Sequence, residues 1–259
     1  SNPAQATGTN TQNAILTVKG YPSSETSAAI LALVRGNNSA STSANHTMGR
    51  IVFADKQAGE YAFIEGEAEA NGSVGDTPGR LSFSTSPDGT SAPTEKLRIS
   101  SAGYVTKPAH PTFCARWTSG DAQDINSGDI IKFTNVSSAT TRWNNGGHYS
   151  TSTGKFTAPV AGFYYFAGRV MTTGWNNGDD IQDLISIQSS AGLITYPTQR
   201  RSRFRSDADA NGYYTSSISA QVQAGAGATF WLQSNRNGNG SGWDAASSSY
   251  SFFTGWLIG

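Results

Sequence analysis

The sequence predicts an all-β protein, and three observations carry that expectation. Short segments of alternating or near-continuous apolar residues recur along most of the chain. Between them Gly, Ser, Thr and Asn dominate, with Gly alone occurring 29 times in 259 residues. Amphipathic periods of ordinary helical length are missing. β-Branched and aromatic residues fit pleated surfaces, and Gly and Asn tolerate turn dihedrals.

In the first part of the chain the expected strand pieces are Ile15 to Val18, Ile30 to Val34, Arg50-Ile51-Val52-Phe53, Tyr61 to Ile64, Arg80-Leu81-Ser82-Phe83 and Leu97 to Ile99. Several place apolar residues two apart, on one face of a strand. A Gly-Arg-x-x-Phe pattern starts at Gly49 and again at Gly79, and Pro87-Asp88-Gly89 is a turn signal. Strands this short and widely spaced are expected to need more sheet than one chain supplies. The economical arrangement is three chains sharing an axial core, a fibrous β shaft over residues 1–106. A small separate β sandwich is the alternative. Lys107-Pro108-Ala109-His110-Pro111 reads as a stiff connector over 107–111, because its prolines favour extended backbone and remove donors.

From Phe113 the strands lengthen and aromatics become dense. Ala161 to Val170 is a near-continuous strand signal. Asp183 to Ile187, Ile218 to Val222, Thr229 to Leu232 and Tyr250 to Ile258 follow. Strands recurring with turn signals across residues 112–259 indicate a sandwich or jelly roll.

The global composition excludes several classes. Eighteen basic and eighteen acidic residues cancel, so no excess of positive charge faces a phosphate backbone and no nucleic-acid partner is expected. No apolar run approaches the roughly 20 residues that span a bilayer, so no membrane insertion is expected. Ser1 to Asn13 are polar and uncharged and do not read as a signal peptide. Ser1-Asn2 suggests a scar of tag removal, so the chain is expected to be a piece of a longer protein. The single Cys114 leaves no intramolecular disulfide framework. Stability is therefore expected from burial, including burial between subunits.

Two resemblances sharpen this reading. Gly79-Arg80-Leu81-Ser82-Phe83-Ser84-Thr85, then Glu95-Lys96-Leu97-Arg98-Ile99, then Gly103-Tyr104-Val105-Thr106-Lys107-Pro108, resemble shaft segments of bacteriophage tail fibres. In those, a "G-x-L-x-F-x-T" strand precedes "E-x-x-R-I" and "G-x-V". The second resemblance is to the complement C1q family. Its central run "Y-x-x-x-T-G-x-F-T-x-P-V-x-G-x-Y-x-F" is similar to Tyr149 with Thr153 to Phe166, preceded by Phe133-Thr134-Asn135-Val136. Ala224 to Leu232 resembles "L-x-x-G-D-x-V-W-L", and Tyr250 to Ile258 resembles the closing "Y-S-x-F-S-G-F-L-L" strand. Ala228 stands where the family usually has an aspartate, so that carboxylate's role does not transfer.

The resemblances imply a C1q-like jelly-roll head on a homotrimer, with aromatics of the inner strands in a central interface. They also imply a virion tail fibre that joins other tail proteins on its N-terminal side. The expected partner is a host surface polysaccharide or another bacterial receptor. A structural fibre whose head only drives trimerisation is the alternative. A depolymerase tailspike, which would need a carboxylate pair in a groove, and a secreted C1q-like protein are further ones.

No enzyme, metal or cofactor is expected. His46, His110, His148 and Cys114 read as structural rather than catalytic. Asp179-Asp180 and Asp207-x-Asp209 offer calcium oxygen ligands but lack an EF-hand pattern, and solvated loop acids explain them equally well. Two features point to a ligand. Trp143-Asn144-Asn145-Gly146 is repeated as Trp175-Asn176-Asn177-Gly178, and Trp243 stands in a third Gly-rich stretch. An exposed indole stacks on the apolar face of a sugar while Asn supplies donors and acceptors; the alternative is that each Trp anchors its loop. In Arg200-Arg201-Ser202-Arg203-Phe204-Arg205, an extended backbone puts Arg201, Arg203 and Arg205 on one face. They would bind anionic polysaccharide or pair with nearby aspartates at a subunit boundary.

Overall fold

The computed structural model describes residues 30–36, 38–57, 59–117, 123–137, 141–173, 185–190, 214–234, 243–245 and 250–259. They are almost entirely strand and turn, and the chain divides into two compact units, Ser1–Lys107 and Pro108–Gly259. Among the described residues no helix is long and apolar enough to cross a membrane.

The first unit is a five-stranded antiparallel meander: β1 Thr47–Ala54, β2 Glu60–Ala68, β3 Gly79–Thr85, β4 Thr94–Ile99 and β5 Val105–Thr106, in that spatial order. The expected pieces at 50–53, 61–64, 80–83 and 97–99 all lie in these strands, and Ile15 to Val18 lies outside the described residues. Ile30–Val34 makes no strand. Its run Ile-Leu-Ala-Leu-Val has no period of two, and the segment acquires no ladder partner. Its Leu33 instead sits over Gly49, where an added Cβ would meet Leu33 Cβ at 2.7 Å. Pro87-Asp88-Gly89 forms the β3–β4 turn, with Gly89 at φ 78° and Thr90 N–H donating to the Pro87 carbonyl at 3.2 Å.

Register divides this sheet sharply. The rows Ile51–Ile64–Phe83–Leu97 and Gly49–Gly66–Leu81–Ile99–Val105 share one face. The rows Arg50–Glu65–Ser82–Arg98 and Val52–Phe63–Ser84–Glu95 share the other. On that second face Arg50 pairs with Glu65 at 2.8 Å, Arg80 with Glu67, and Arg98 with Glu95 at 2.6 Å. The arginines of the two Gly-Arg-x-x-Phe patterns thus reach β2 from its two sides. Burial pushes the Glu65 carboxyl up, but hydrogen bonds from Thr47 and Arg50 outweigh it and hold the group below the usual carboxylate range.

The second unit is a two-layer sandwich. Its strands are β6 Thr112–Arg116, β7 Gln123–Ile125, β8 Trp143–Asn145, β9 Tyr149–Ser150, β10 Lys155–Thr157, β11 Gly162–Thr173, β12 Ile185–Ser189, β13 Tyr214–Ala224, β14 Thr229–Ser234, β15 Trp243–Ala245 and β16 Phe252–Leu257. One sheet runs β12-β14-β10-β9; the other runs β7-β15-β11-β16-β6-β8, with β13 paired to β11. This is a jelly roll, in which strands distant in sequence become neighbours.

Aromatic residues from both sheets meet between the layers. Phe113 stacks on Tyr149 and Phe156 at 4.9 and 5.0 Å between centroids, and Phe166 stacks on Phe230 at 4.7 Å. Ile187, Leu232, Val170 and Phe253 close the core. Tyr149 is fixed by two hydrogen bonds to Phe133: Phe133 N–H donates to its hydroxyl at 3.1 Å, and the hydroxyl donates to the Phe133 carbonyl at 3.3 Å. Burial pushes this phenol well above its ordinary pKa.

Two glycines let the core close. Phe166 lies opposite Gly255, and Phe253 opposite Gly168, so each bulky ring is paired across the strands with a missing side chain. A Cβ on Gly255 would stand 2.4 Å from Phe166 Cδ1, and one on Gly168 would stand 2.4 Å from Leu232 Cδ1.

Candidate functional site

Strand alternation decides what each unit offers to a partner. On β11, Tyr164, Phe166, Gly168 and Val170 point into the sandwich, so Phe163, Tyr165, Ala167, Arg169 and Met171 point out. On β16, Phe253 and Gly255 point in, and Phe252, Thr254 and Trp256 point out. A strand apolar on both faces belongs between two packed layers, yet only one layer covers β11 among the described residues.

The outward face of the seven-stranded sheet has a definite pattern. Tyr165 and Trp256 face each other across β11 and β16, with ring centroids 4.5 Å apart. Phe252 lies between Arg116 and Arg169 in its row, with the Arg116 guanidinium 5.5 Å from its ring centroid. Arg169 Nε is buried and has no hydrogen-bond partner among the described residues. A buried guanidinium N–H without an acceptor is costly. Phe163 and Trp256 are exposed, while β13 flanks the patch with Ser217, Ser219, Gln221 and Gln223, so an apolar centre passes into a polar margin.

The expected site residues fall in three groups. Trp143, Asn144 and Asn145 form β8, an edge strand of this same sheet. Trp143 keeps a partly exposed indole, whose N–H donates to Thr112 Oγ1 at 3.1 Å. Asn144 binds the Tyr149 backbone twice, donating to its carbonyl at 2.8 Å and accepting from its N–H at 3.0 Å. Asn145 donates to the carbonyls of Pro108 and His110 at 2.6 and 2.7 Å. These two amides therefore hold the start of the unit together, and what β8 presents outward is the indole. Of Trp243 only its place in β15 is described. Trp175, Asn176, Asn177, Arg201, Arg203 and Arg205 lie outside the described residues, as do Asp179, Asp180, Asp207 and Asp209.

Each histidine makes a local contact in the fold. His46 Nδ1 accepts from Ser43 N–H at 3.0 Å, and His110 Nε2 lies 2.6 Å from the Leu257 carbonyl. His148 packs edge-on to Phe156, and burial holds its pKa below the ordinary histidine value. Among the described residues no group of three or more His, Cys, Asp or Glu is placed to hold a metal ion.

Sequence reasoning placed the ligand site on the tryptophan loops and on Arg201, Arg203 and Arg205, and assigned no site role to Tyr165, Phe252 and Trp256. For Tyr165 the signal was the unbroken aromatic run at 163–166, which a strand buried on one side does not need.

The family model of the C1q domain matches residues 112–258. The globular domain of zebrafish complement 1qA protein is similar in structure, with 16% sequence identity, a TM-score of 0.39, and coverage of 58% of this chain and 98% of that one. No curated protein sequence matches the chain. C1q domains typically form homotrimers, and proteins that carry them are generally non-enzymatic binding or structural proteins. Because the matched region is more than half of its length, this chain belongs to the C1q domain family.

Proposed function

We propose that this chain is the distal part of a homotrimeric attachment fibre, a bacteriophage tail-fibre receptor-binding protein whose C1q head adheres to a host surface glycan. The observation that carries the reading is the outward face of the seven-stranded sheet. Tyr165, Trp256, Phe252 and Phe163 form an apolar patch that the described residues leave uncovered, and patches of this kind mark interaction surfaces. In the trimer that face packs against neighbouring copies, and a neighbour supplies the acceptor that Arg169 Nε lacks among the described residues. The first unit is then the shaft, joined on its N-terminal side to other tail proteins.

Binding would be multivalent, three weak sites acting together through high effective concentration. Trp143 is the described contact residue, an indole at the sheet edge beside the assembly face. Trp175, Trp243 and Arg201, Arg203 and Arg205 complete the proposed surface. The reading requires no catalysis and no cofactor.

An array of bacterial surface polysaccharides probed with the folded trimer tests this function. Retention on one polysaccharide class, lost on heat unfolding, is the expected result. A trimer that binds none of them, and does not compete with phage adsorption, would sink the receptor role. The internal use of Asn144 and Asn145 favours a second reading, a structural fibre whose head only drives trimerisation, and that negative result would select it.

A further inference from the structure

The four-stranded sheet of the head has an outward face of its own, on the side of the sandwich away from Tyr165 and Trp256. Phe156, Ile187, Phe230 and Leu232 point into the core, so their strand neighbours Lys155, Gln188, Trp231 and Gln233 point out. Register sets Ser150, Lys155, Trp231 and Gln188 in one row, with Trp231 on β14 between the two flanking strands.

The middle of this row joins a cation, an indole and two amides. The Lys155 ammonium lies over the Trp231 ring, 4.3 Å from its centroid. Trp231 Nε1 is buried and its N–H has no acceptor among the described residues, an arrangement that is costly until one arrives. No carboxylate lies within ion-pair distance of Lys155 among the described residues. A second cationic side chain stands close by: an added Cβ on Gly154 would meet Lys132 Cγ at 3.0 Å. Gln188 and Gln233 flank the indole and spend amide N–H groups on Ser186 Oγ at 2.9 Å and the Gly128 carbonyl at 2.7 Å. Their carbonyl oxygens remain as acceptors.

We infer that this face binds an acidic saccharide, a sugar that carries a carboxylate as uronic acids do. The carboxylate draws the Lys155 ammonium off the indole. The uncovered ring then takes the apolar face of the sugar, while the indole N–H donates to a sugar oxygen and the glutamine oxygens accept from hydroxyls. The inference rests on the glycan-adhesion reading above; it adds the sugar class and a contact surface on the sheet opposite Trp143.

Charge and topology select this occupant. A lysine without a carboxylate partner presents a compact point charge to an anion. A peptide that adds itself as a strand needs a free sheet edge, and β14 is flanked by β10 and β12. A small inorganic anion would leave the indole and the amides unused. With the Tyr165–Trp256 face covered by neighbouring copies, this face stays open on every head, which suits multivalent contact.

The test titrates the full chain with oligosaccharides of uronic-acid-bearing bacterial capsules, each beside its carboxyl-reduced form. An acidic form should bind at least about tenfold more tightly than its reduced form. Lys155→Met, which keeps the stem, should lose that factor and erase the difference between the two forms. Trp231→Phe, which keeps a ring and removes the donor, should weaken binding by about three- to tenfold. In the parent, the indole N–H resonance that Trp231→Phe removes should shift on binding. Circular dichroism and mass check the fold of each variant, and Lys155→Met decides alone if Trp231→Phe does not fold. Equal binding of acidic and reduced forms, or of an oligoglutamate peptide, would overturn the inference. Binding lost in Trp143→Ala but kept in Lys155→Met would overturn it too, and leave glycan adhesion standing. A folded chain that binds none of the sugars would remove both.

Discussion

Replacing Gly168 by alanine tests the packing of the head where it is tightest. The added Cβ would lie 2.4 Å from Leu232 Cδ1 and 2.7 Å from Cδ2, against about 3.5–4.0 Å for comfortable carbon contacts. Leu232 is fully buried beneath β11 and must move by about 1 Å or leave its rotamer. Overpacking of this kind costs about 1–3 kcal/mol. At about 2 kcal/mol, a domain of this size should lose about 4–8 °C in Tm. Calorimetry at fixed protein concentration checks it, since assembly is linked to stability. Leu232→Ala alone should cost about 2–5 kcal/mol. The double variant should recover about 1–2 kcal/mol of the summed losses, because the clash disappears with the side chain. A Gly168→Ala head melting within about 1 °C of the parent, or strict additivity in the cycle, would refute the close packing of β11 on β14.

Three further outcomes follow from the same structure. Trp256→Glu puts a charge at the centre of the aromatic face and should weaken assembly by about 2 kcal/mol or more per chain; sedimentation should show dissociation while circular dichroism keeps its β signal. Trp143→Ala, at the sheet edge, should leave the trimer intact and cut polysaccharide retention on the array, by about 1–2 kcal/mol if its indole stacks on a sugar. Acid should act in two windows. His148 is held below its ordinary value of 6.5, so the unfolded chain takes up that proton first, and the head's contribution is lost as pH falls from there through the lowered value. Glu65 is held below 4.5, so its contribution to the five-stranded sheet is present above that pH and is lost at more acidic pH. Hydrogen exchange resolved by segment should show these losses in that order, and simultaneous loss in both units would contradict the assignment.

Much of the fold was legible because strand alternation is a local property. Arg50 to Phe53 and Arg80 to Phe83 declare their strands by period two, and the order of motifs from Tyr149 to Phe166 and from Tyr250 to Ile258 declares the jelly roll. Ile30–Val34 misled because a continuous apolar run is compatible with a strand without guaranteeing a partner. The site was less legible for a different reason. Asn144 and Asn145 carry free donors on paper, and only the fold shows them spent on the backbone of Tyr149, Pro108 and His110. Whether Tyr165 and Trp256 face a core or a partner depends on a second layer that sequence periodicity does not reveal. The closeness of Gly168 and Gly255 to Leu232 and Phe166 joins residues far apart in sequence, and no local pattern encodes it.

The most direct test of the account is the mass of the full chain in dilute solution, measured by sedimentation equilibrium across a range of concentrations. The account predicts three chains per particle, persisting to low concentration because the head hides its aromatic face in the assembly. A well-folded, stable monomer would leave Tyr165 and Trp256 bare to water and would contradict it.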